Sequence, residues 1–325
     1  MPVTDLDDEG TITTHLPTTK LATDERCPHP MKTIGVIAHN KKVLGEGLDQ
    51  LRQLLSDRGY PDPIWFEASS SRKTPKLAKK AVERGAELLF IWGGDGTVQR
   101  CVDAVVDLDV ELALLPAGTA NLLANNLGVP IDLQGALDVG FNDHIQHLDV
   151  GVMNGECFAV MAGMGFDAVM MENADGAKKD RFGRLAYVWT GAKATSINAR
   201  KAKVRIDGEK WFSGETTCIL IGQMAEVARD VQIFPQNDPA DGLIEVGVVT
   251  AKNIRQWAQL LVHAAFGNAH RSPLTRMIQA SKVDISFDHA TPYELDGGAR
   301  KATKNFKIRV RHRAIAVHVP VKDAP

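Results

Sequence analysis

Glycine, threonine, asparagine and aspartate come together in two short loops of this chain, in a mixture suited to holding an anion. The first, Gly93-Gly94-Asp95-Gly96-Thr97, follows the apolar run Glu87–Trp92 and opens a stretch of helical periodicity. Bare backbones at a helix N-terminus let N–H groups and the helix dipole meet phosphate oxygens, and glycine permits both the close approach and a positive φ. Asp95 would repel a phosphate directly. It makes sense there if Mg²⁺ lies between, or if its carboxylate orders the loop through hydrogen bonds. A tight strand-to-helix turn that binds nothing would use the same residue types. The second loop, Pro116-Ala117-Gly118-Thr119-Ala120-Asn121, follows Leu112–Leu115. Thr119 and Asn121 can donate to a phosphate, or Thr119 can serve as a plain helix cap. A third loop, His39-Asn40-Lys41-Lys42 with Gly45 and Gly47 beyond it, offers two lysines to phosphate or to solvent. Ligands of open α/β sheets bind at the carboxyl ends of neighbouring strands, which is where these loops fall. The P-loop pattern, a GxGxxG after the first strand, HExxH and a GxSxG elbow are all absent.

The elements that must position these loops alternate. Strand-like runs at Thr33–His39, Pro63–Glu67, Glu87–Trp92 and Leu112–Leu115 are separated by helical patterns at Leu44–Arg58, Thr74–Arg84 and Val98–Val106. Thr74 is the expected cap of the second helix, with Pro75 at its first position. Continuous apolar strands between helices predict a parallel sheet covered on both faces. Near residue 145 the pattern changes. Runs at Ile145–Met153, Cys157–Ala162, Lys203–Ile206, Trp211–Ile221, Leu243–Val249, Val283–Phe287 and Phe306–Val319 read as strands, many of them alternating, with turns at Asn154-Gly155 and Asp207-Gly208. Helical patterns interrupt at Gly183–Ser196 and Asn253–Phe266. The expected architecture is α/β: a Rossmann-like nucleotide domain over 32–144, then a largely antiparallel β-sandwich over 145–325. Residues 1–31 are polar and acidic with little periodicity and read as a mobile tail.

Composition narrows the function classes. The chain has 325 residues, 44% of them hydrophobic and 24% charged, with a formal net charge of −2. That excludes wholesale disorder and gives no bulk drive toward nucleic acid or an anionic membrane. No stretch approaches the roughly 18 apolar residues of a membrane span. Cys27, Cys101, Cys157 and Cys218 lie far apart and read as reduced thiols of a cytoplasmic protein. Lys307, Arg309, Arg311 and Arg313, with Arg300, Lys301 and Lys304, form a basic strand. It suits either an anionic lipid surface or a solvated edge, and without interleaved aromatics it does not suggest nucleic acid.

In chain order, GGDGT, PAGTAN, Asp149-Val-Gly-x-x-Asn154-Gly, Phe158-x-x-x-Ala162-Gly-x-Gly165-Phe-Asp167-Ala, Asp238-Pro-Ala-Asp241-Gly-Leu243 and Leu295-Asp296-Gly297-Gly298 resemble the diacylglycerol kinase catalytic-domain family, which includes soluble bacterial lipid kinases and sphingosine kinases. The resemblance covers roughly residues 32–320 and implies a nucleotide domain, a β-sandwich domain and an active site in the cleft between them. It implies ATP over Asn40, Gly93, Gly94, Asp95, Gly96, Thr97, Gly118, Thr119 and Asn121, with Ser69 near the nucleotide. It puts Asp95 close to Mg²⁺ and the reacting phosphate, Asp149 as an acidic residue at the cleft, and Asp238, Asp241 and the Leu243 carbonyl at a structural Mg²⁺ site. An Asp-Gly turn between strands would account for that last group equally well.

The implied chemistry is phosphoryl transfer from ATP to a lipid hydroxyl, diacylglycerol by default, at a membrane surface, with a carboxylate taking the hydroxyl proton. The resemblance offers Asp296 for that task, with Asp95 the second candidate. This sequence departs from the family in four places. Gly298 stands where many members have Glu, Gln99-Arg100 replaces a frequent Asn-Glu, Leu122 stands where many have Asp, and the first loop keeps of the family's NPxSG only Asn40 with a later Gly45. Phe158, Met161, Met164, Phe166, Met170 and Met171 could wall an acyl chain, with ordinary core the expected place for Phe158 and Met161. A kinase acting on NAD shares GGDGT and the two-domain plan, but its later Asn-Glu pair is missing here; a non-catalytic binding protein is the alternative that Gly298 raises. Exposed sandwich strands in this family can pair into homodimers.

Overall fold

The structure is a computed structural model, and it describes residues 4–6, 12–14, 32–165, 199–228, 231–234, 238–265 and 268–321. Residues 1–31 form one compact unit and residues 32–325 another. Within the first, β1 (Thr4–Leu6) pairs antiparallel with β2 (Ile12–Thr14), where the sequence suggested no regular structure.

The larger unit opens with a parallel sheet. β3 (Ile34–His39), β4 (Ile64–Ala68), β5 (Leu88–Gly93) and β6 (Glu111–Pro116) lie in the order β4-β3-β5-β6, every pairing parallel. These strands are short and almost wholly apolar, and β5 is buried along its whole length, as a sheet covered on both faces requires. The helices are α1 (Leu48–Asp57), α2 (Thr74–Glu83), α3 (Asp95–Val105), α4 (Leu122–Asn126) and α5 (Leu133–Gly140). α1 starts four residues later than its leucine spacing suggested, because Gly45 and Gly47 take positive φ and hold the preceding loop out of the helix. Ser70, not Thr74, is the capping side chain ahead of α2: it accepts from Arg72 N–H in a short 3-10 turn, and Thr74 lies inside the helix. α3 begins at Asp95, so the glycine loop itself forms the first helical turn. Strand order reverses between β3 and β5, so the loops after those two strands flank the crevice where such sheets bind ligands.

The rest is antiparallel. β7 (Ile145–Met153) turns at Asn154-Gly155 into β8 (Glu156–Phe158), and β9 (Met161–Met164) follows. Next come β10 (Arg200–Ile206), β11 (Glu209–Thr216), β12 (Cys218–Gly222), β13 (Glu226–Ala228), β14 (Val231–Gln232), β15 (Ile244–Val249), α6 (Ile254–Ala265), β16 (Thr275–Ala280), β17 (Lys282–Leu295) and β18 (Gly298–His318). The expected helix at 183–196 lies outside the described residues. β17 and β18 form a long hairpin through Asp296-Gly297, both at positive φ, the two-residue turn that Asp-Gly favours. β18 then runs beside β7 and ends parallel to β6, Ala316 opposite Glu111 and Val317 opposite Leu112. One strand therefore serves both lobes. Its Ile315 and Val317 pack in the first core with Phe90 and Leu112, while its Phe306 and Ile308 pack in the second with Phe158, Ile221 and Val246. Trp257 and Leu260 of α6 pack with Leu220 and Phe234 on the outer side of the antiparallel sheet.

A buried aspartate ties this junction. The Asp149 carboxylate on β7 accepts from Gly242 N–H at 2.6 Å and Arg313 N–H at 2.7 Å, and Nδ1 of His312 lies 2.9 Å from it. Asp149 N–H donates to the Pro239 carbonyl at 2.7 Å. The acidic residue that the sequence reading set at the cleft holds loop 239–242 against β7 and β18. Asp149→Ala is expected to lower stability by about 2 kcal/mol, because two partly buried N–H groups and an imidazole lose the buried carboxylate that ties loop 239–242 to β7 and β18; urea denaturation followed by tryptophan fluorescence measures this.

Candidate active site

The two glycine loops are one structure. A Cβ on Gly118 would lie 2.4 Å from the Gly94 Cα, so the backbones touch as only glycine allows. Asp95 locks them: its carboxylate accepts from Asn121 N–H at 3.1 Å and from Leu122 N–H at 2.5 Å. The first residue of α3 therefore caps α4 from the neighbouring loop, satisfying N–H groups that a helix start leaves open. Of the two sequence-level explanations for Asp95, loop ordering is directly visible.

Asn121 works inward. It sits at φ 48°, its Oδ1 accepts from Gly118 N–H at 2.9 Å, and its amide donates to the carbonyls of Pro116 and Gly118. The side chain expected to meet a ligand instead fastens the loop. Thr97 is buried beneath Gly93, where a Cβ would come within 2.5 Å of it, and shapes the loop from below. Asn40, Lys41, Lys42, Ser69 and Thr119 are exposed polar residues at this edge, and Asn40 N–H bonds the Ala68 carbonyl and so draws its loop beside Ser69.

Across from the loops stands Asp296, 3% exposed, at the tip of the β17–β18 hairpin. Its Oδ1 accepts from Val160 N–H at 2.9 Å and Met161 N–H at 2.8 Å, and its Oδ2 from Ala159 N–H at 2.8 Å. Burial pushes its pKa up to about 6 against the pull of those three N–H groups, and the charge of Asp95 adds to the rise. Asp95 and Asp296, from opposite lobes, thus lie close enough for the charge of one to act on the other. Two residues back, Glu294 is wholly buried and raised by burial to about 8, although Gly297 N–H donates to its Oε2 at 2.6 Å. Nothing in the sequence marks this acid, since a Glu in an alternating strand reads as solvated.

Two of the departures from the family pattern prove to be neighbours. A Cβ at Gly298 would lie 2.7 Å from Nη1 of Arg300, so the guanidinium fills the space where a larger residue 298 would begin. Arg300 is 13% exposed; it grips both Glu156 oxygens and donates to Gln99 Oε1 at 3.3 Å. Gln99 in turn donates to the Cys157 carbonyl at 2.6 Å. The Arg300 guanidinium holds Glu156 below the usual carboxylate range, which makes it a poor proton acceptor. Arg100 and Leu122 have no such explanation in the structure.

Asp238 accepts from Ala240 N–H and Asp241 from Leu243 N–H, each capping its own loop, and among the described residues no three or more His, Cys, Asp or Glu converge as a metal site. The two aspartates and the Leu243 carbonyl of the expected Mg²⁺ site all belong to this one loop. The basic strand is not a single cationic face. Arg309 pairs with Asp284 and Arg311 with Asp107, and a register break with Arg313 at φ 49° interrupts the alternation. Phe158 and Met164 are core, Met161 is half-buried, and Phe166, Met170 and Met171 lie outside the described residues. Cys101, Cys157 and Cys218 are buried free thiols. No described helix is long and apolar enough to cross a membrane.

Because Glu294 has a folded pKa of about 8, the folded chain holds a proton there that the unfolded chain releases near the usual carboxylate range. Stability therefore falls as pH rises through that window. Glu294→Gln keeps an acceptor for Gly297 and removes the titration. The variant is expected to melt higher than the wild type at pH 8, with the difference shrinking toward pH 5 in calorimetric scans.

Comparison with known proteins matches residues 37–153 to the diacylglycerol kinase catalytic domain and residues 160–319 to the YegS C-terminal NAD kinase beta sandwich-like domain. A Bacillus subtilis protein named diacylglycerol kinase is 25% identical over 261 residues, 79% of this chain and 86% of that one. A Pseudomonas fluorescens protein named probable lipid kinase YegS-like is 26% identical over 295 residues, 89% and 96%. Among solved structures, a diacylglycerol kinase from Bacillus anthracis superposes with TM-score 0.70 at 18% identity, covering 90% of this chain and 98% of that one. An NAD kinase from Archaeoglobus fulgidus in complex with ATP superposes with TM-score 0.52 at 8% identity, covering 88% and 92%. These two share the fold.

Proposed function

Because the chain belongs to the diacylglycerol kinase catalytic-domain family, we propose that it transfers the γ-phosphate of ATP to a lipid hydroxyl, with diacylglycerol the default acceptor and phosphatidic acid the product. The observation that carries this reading is the fused pair of glycine loops at the carboxyl ends of β5 and β6, the first of them flanking the switch point of the parallel sheet, with the charge of Asp95 felt by the buried Asp296 of the other lobe. In this reading residues 32–144 bind the nucleotide and residues 145–325 take the lipid, working at a bilayer surface from the cytoplasm.

Each part has a task. The N–H groups at the start of α3 and the exposed Asn40, Ser69 and Thr119 cradle the nucleotide, its phosphates over Gly93–Thr97. Asp95 keeps that cradle in shape at no cost in reorganisation during the reaction. Magnesium fits in one respect: Asp95 is the carboxylate at the glycine loops, and such ions are held by one or two carboxylates together with substrate phosphates. When bound, the ion would neutralise charge on the phosphates. Asp296 accepts the proton of the attacking hydroxyl. Its pKa of about 6 leaves it ionised at neutral pH yet far more basic than an exposed aspartate, which is the compromise a general base needs. The Arg300 cluster takes the place of the acid that many relatives carry after Asp-Gly, so proton transfer falls to Asp296 alone.

The test is radiolabelled γ-phosphate transfer to a panel of lipid alcohols and NAD. Transfer to a lipid is expected. Asp296→Asn should cut kcat by about 100-fold or more, the scale of general-base losses, with ATP still bound. The wild-type rate should fall as pH drops through about 6, where Asp296 protonates. Label in NAD but in no lipid would reject the proposed acceptor.

A further inference from the structure

Just past the end of β12 stands a polar side chain with nothing to bond. Gln223 is fully buried, and among the described residues neither Oε1 nor Nε2 of its amide has a hydrogen-bond partner. Buried polar groups are nearly always satisfied, so an orphaned amide calls for a cause. Its location suggests one. The Val160 N–H that donates to Asp296 belongs to the same residue whose carbonyl accepts from Gln223 N–H at 2.8 Å and Met224 N–H at 3.2 Å. Gln223 is thus joined through a single residue to the carboxylate cradle. Ile221 packs in the core of the antiparallel lobe and Met224 in that of the parallel lobe, so Gln223 lies where the lobes meet.

We propose that Gln223 is a specificity-determining residue that hydrogen-bonds the neutral polar head of the lipid acceptor next to the reacting hydroxyl. This rests on the lipid-kinase reading and deepens it. An amide offers donors on Nε2 and an acceptor on Oε1, and it carries no charge. A hydroxyl or a glyceride ester oxygen beside a hydroxyl satisfies both ends. A phosphate head leaves the acceptor unpaired, whereas a sphingoid base, with a hydroxyl beside its ammonium, pairs both ends as a glyceride does. Gln223 therefore selects for an acceptor that presents a donor and an acceptor side by side, and against a phosphorylated head. The amide is covered, so in this proposal the acceptor reaches it only when the Gln223 and Met224 N–H bonds to the Val160 carbonyl open, while the Val160 N–H bond to Asp296 is kept. That bend lies outside the strand ladder.

The discriminating variant is Gln223→Met, which keeps the length of the side chain and removes its polarity. Two readouts are taken on the full chain: the melting temperature, and initial rates against 1,2-dioctanoylglycerol in detergent mixed micelles and against ATP. With no bond to lose in the folded protein, Q223M should melt at or above the wild-type temperature. Its KM for dioctanoylglycerol should rise at least about tenfold, with the KM for ATP within about twofold of wild type. A clear drop in melting temperature, or failure to fold, would mean that the amide already has a partner such as a trapped water, and would overturn the proposal. So would an active Q223M with an unchanged acceptor KM. A wild-type chain that binds ATP but labels no lipid alcohol would bring down the lipid-kinase reading, and this proposal with it. An active wild type with an indifferent Q223M would bring down the proposal alone.

Discussion

A carboxylate reaching across a gap sets the geometry of this molecule. Asp95 begins one helix and caps another, and the backbones of Gly94 and Gly118 can touch because that bond draws their loops together. Both loops leave adjacent parallel strands, so their spacing is already fixed by the β5–β6 ladder. What the ladder does not fix is their tilt. The Asp95 bonds and the Asn121 amide do that, and the surface they create is a rigid rim of main-chain N–H groups. Rigidity matters because hydrogen-bond donors aimed in advance cost nothing to reorient when charge develops.

The opposite wall follows a different logic. Asp296 and Glu294 are acids taken out of water, each at a cost that hydrogen bonding only partly offsets, and Asp95 adds its own charge. An arrangement of this kind destabilises the fold in order to hold basic oxygen where solvent cannot reach it. The long β17–β18 hairpin makes this possible. It is anchored in both cores, so the Asp-Gly tip that carries Asp296 is held in place by packing along the whole hairpin.

Much of the architecture was legible because it rests on local pattern. Short apolar runs between helical periods predict β3 to β6, and GGDGT after Trp92 marks the rim. Where the reading stopped short, the cause lay in contacts distant in sequence. Nothing near Asn121 shows that its amide closes on its own loop, and the pairing of Asp95 with Asn121 spans 26 positions. The charges of β18 look like one basic face, but the partners Asp284 and Asp107 come from other elements and the bulge near Arg313 breaks the alternation. Strand lengths were underestimated for the same reason: β17 and β18 extend through Lys, Thr and Asn because the hairpin partner, not local hydrophobicity, keeps them paired. Gln223 has no sequence signature, since an amide is orphaned only by its surroundings.

The cluster of Arg300, Glu156, Gln99 and the bare Gly298 couples positions far apart in the chain. The guanidinium occupies the volume that a side chain at 298 would need, and it is held there by a glutamine from the helix that begins at the glycine rim. Residues 99, 156, 298 and 300 therefore behave as one unit. Any side chain placed at 298 must first displace the guanidinium, and with it the grip on Glu156 and Gln99 that joins the two lobes here.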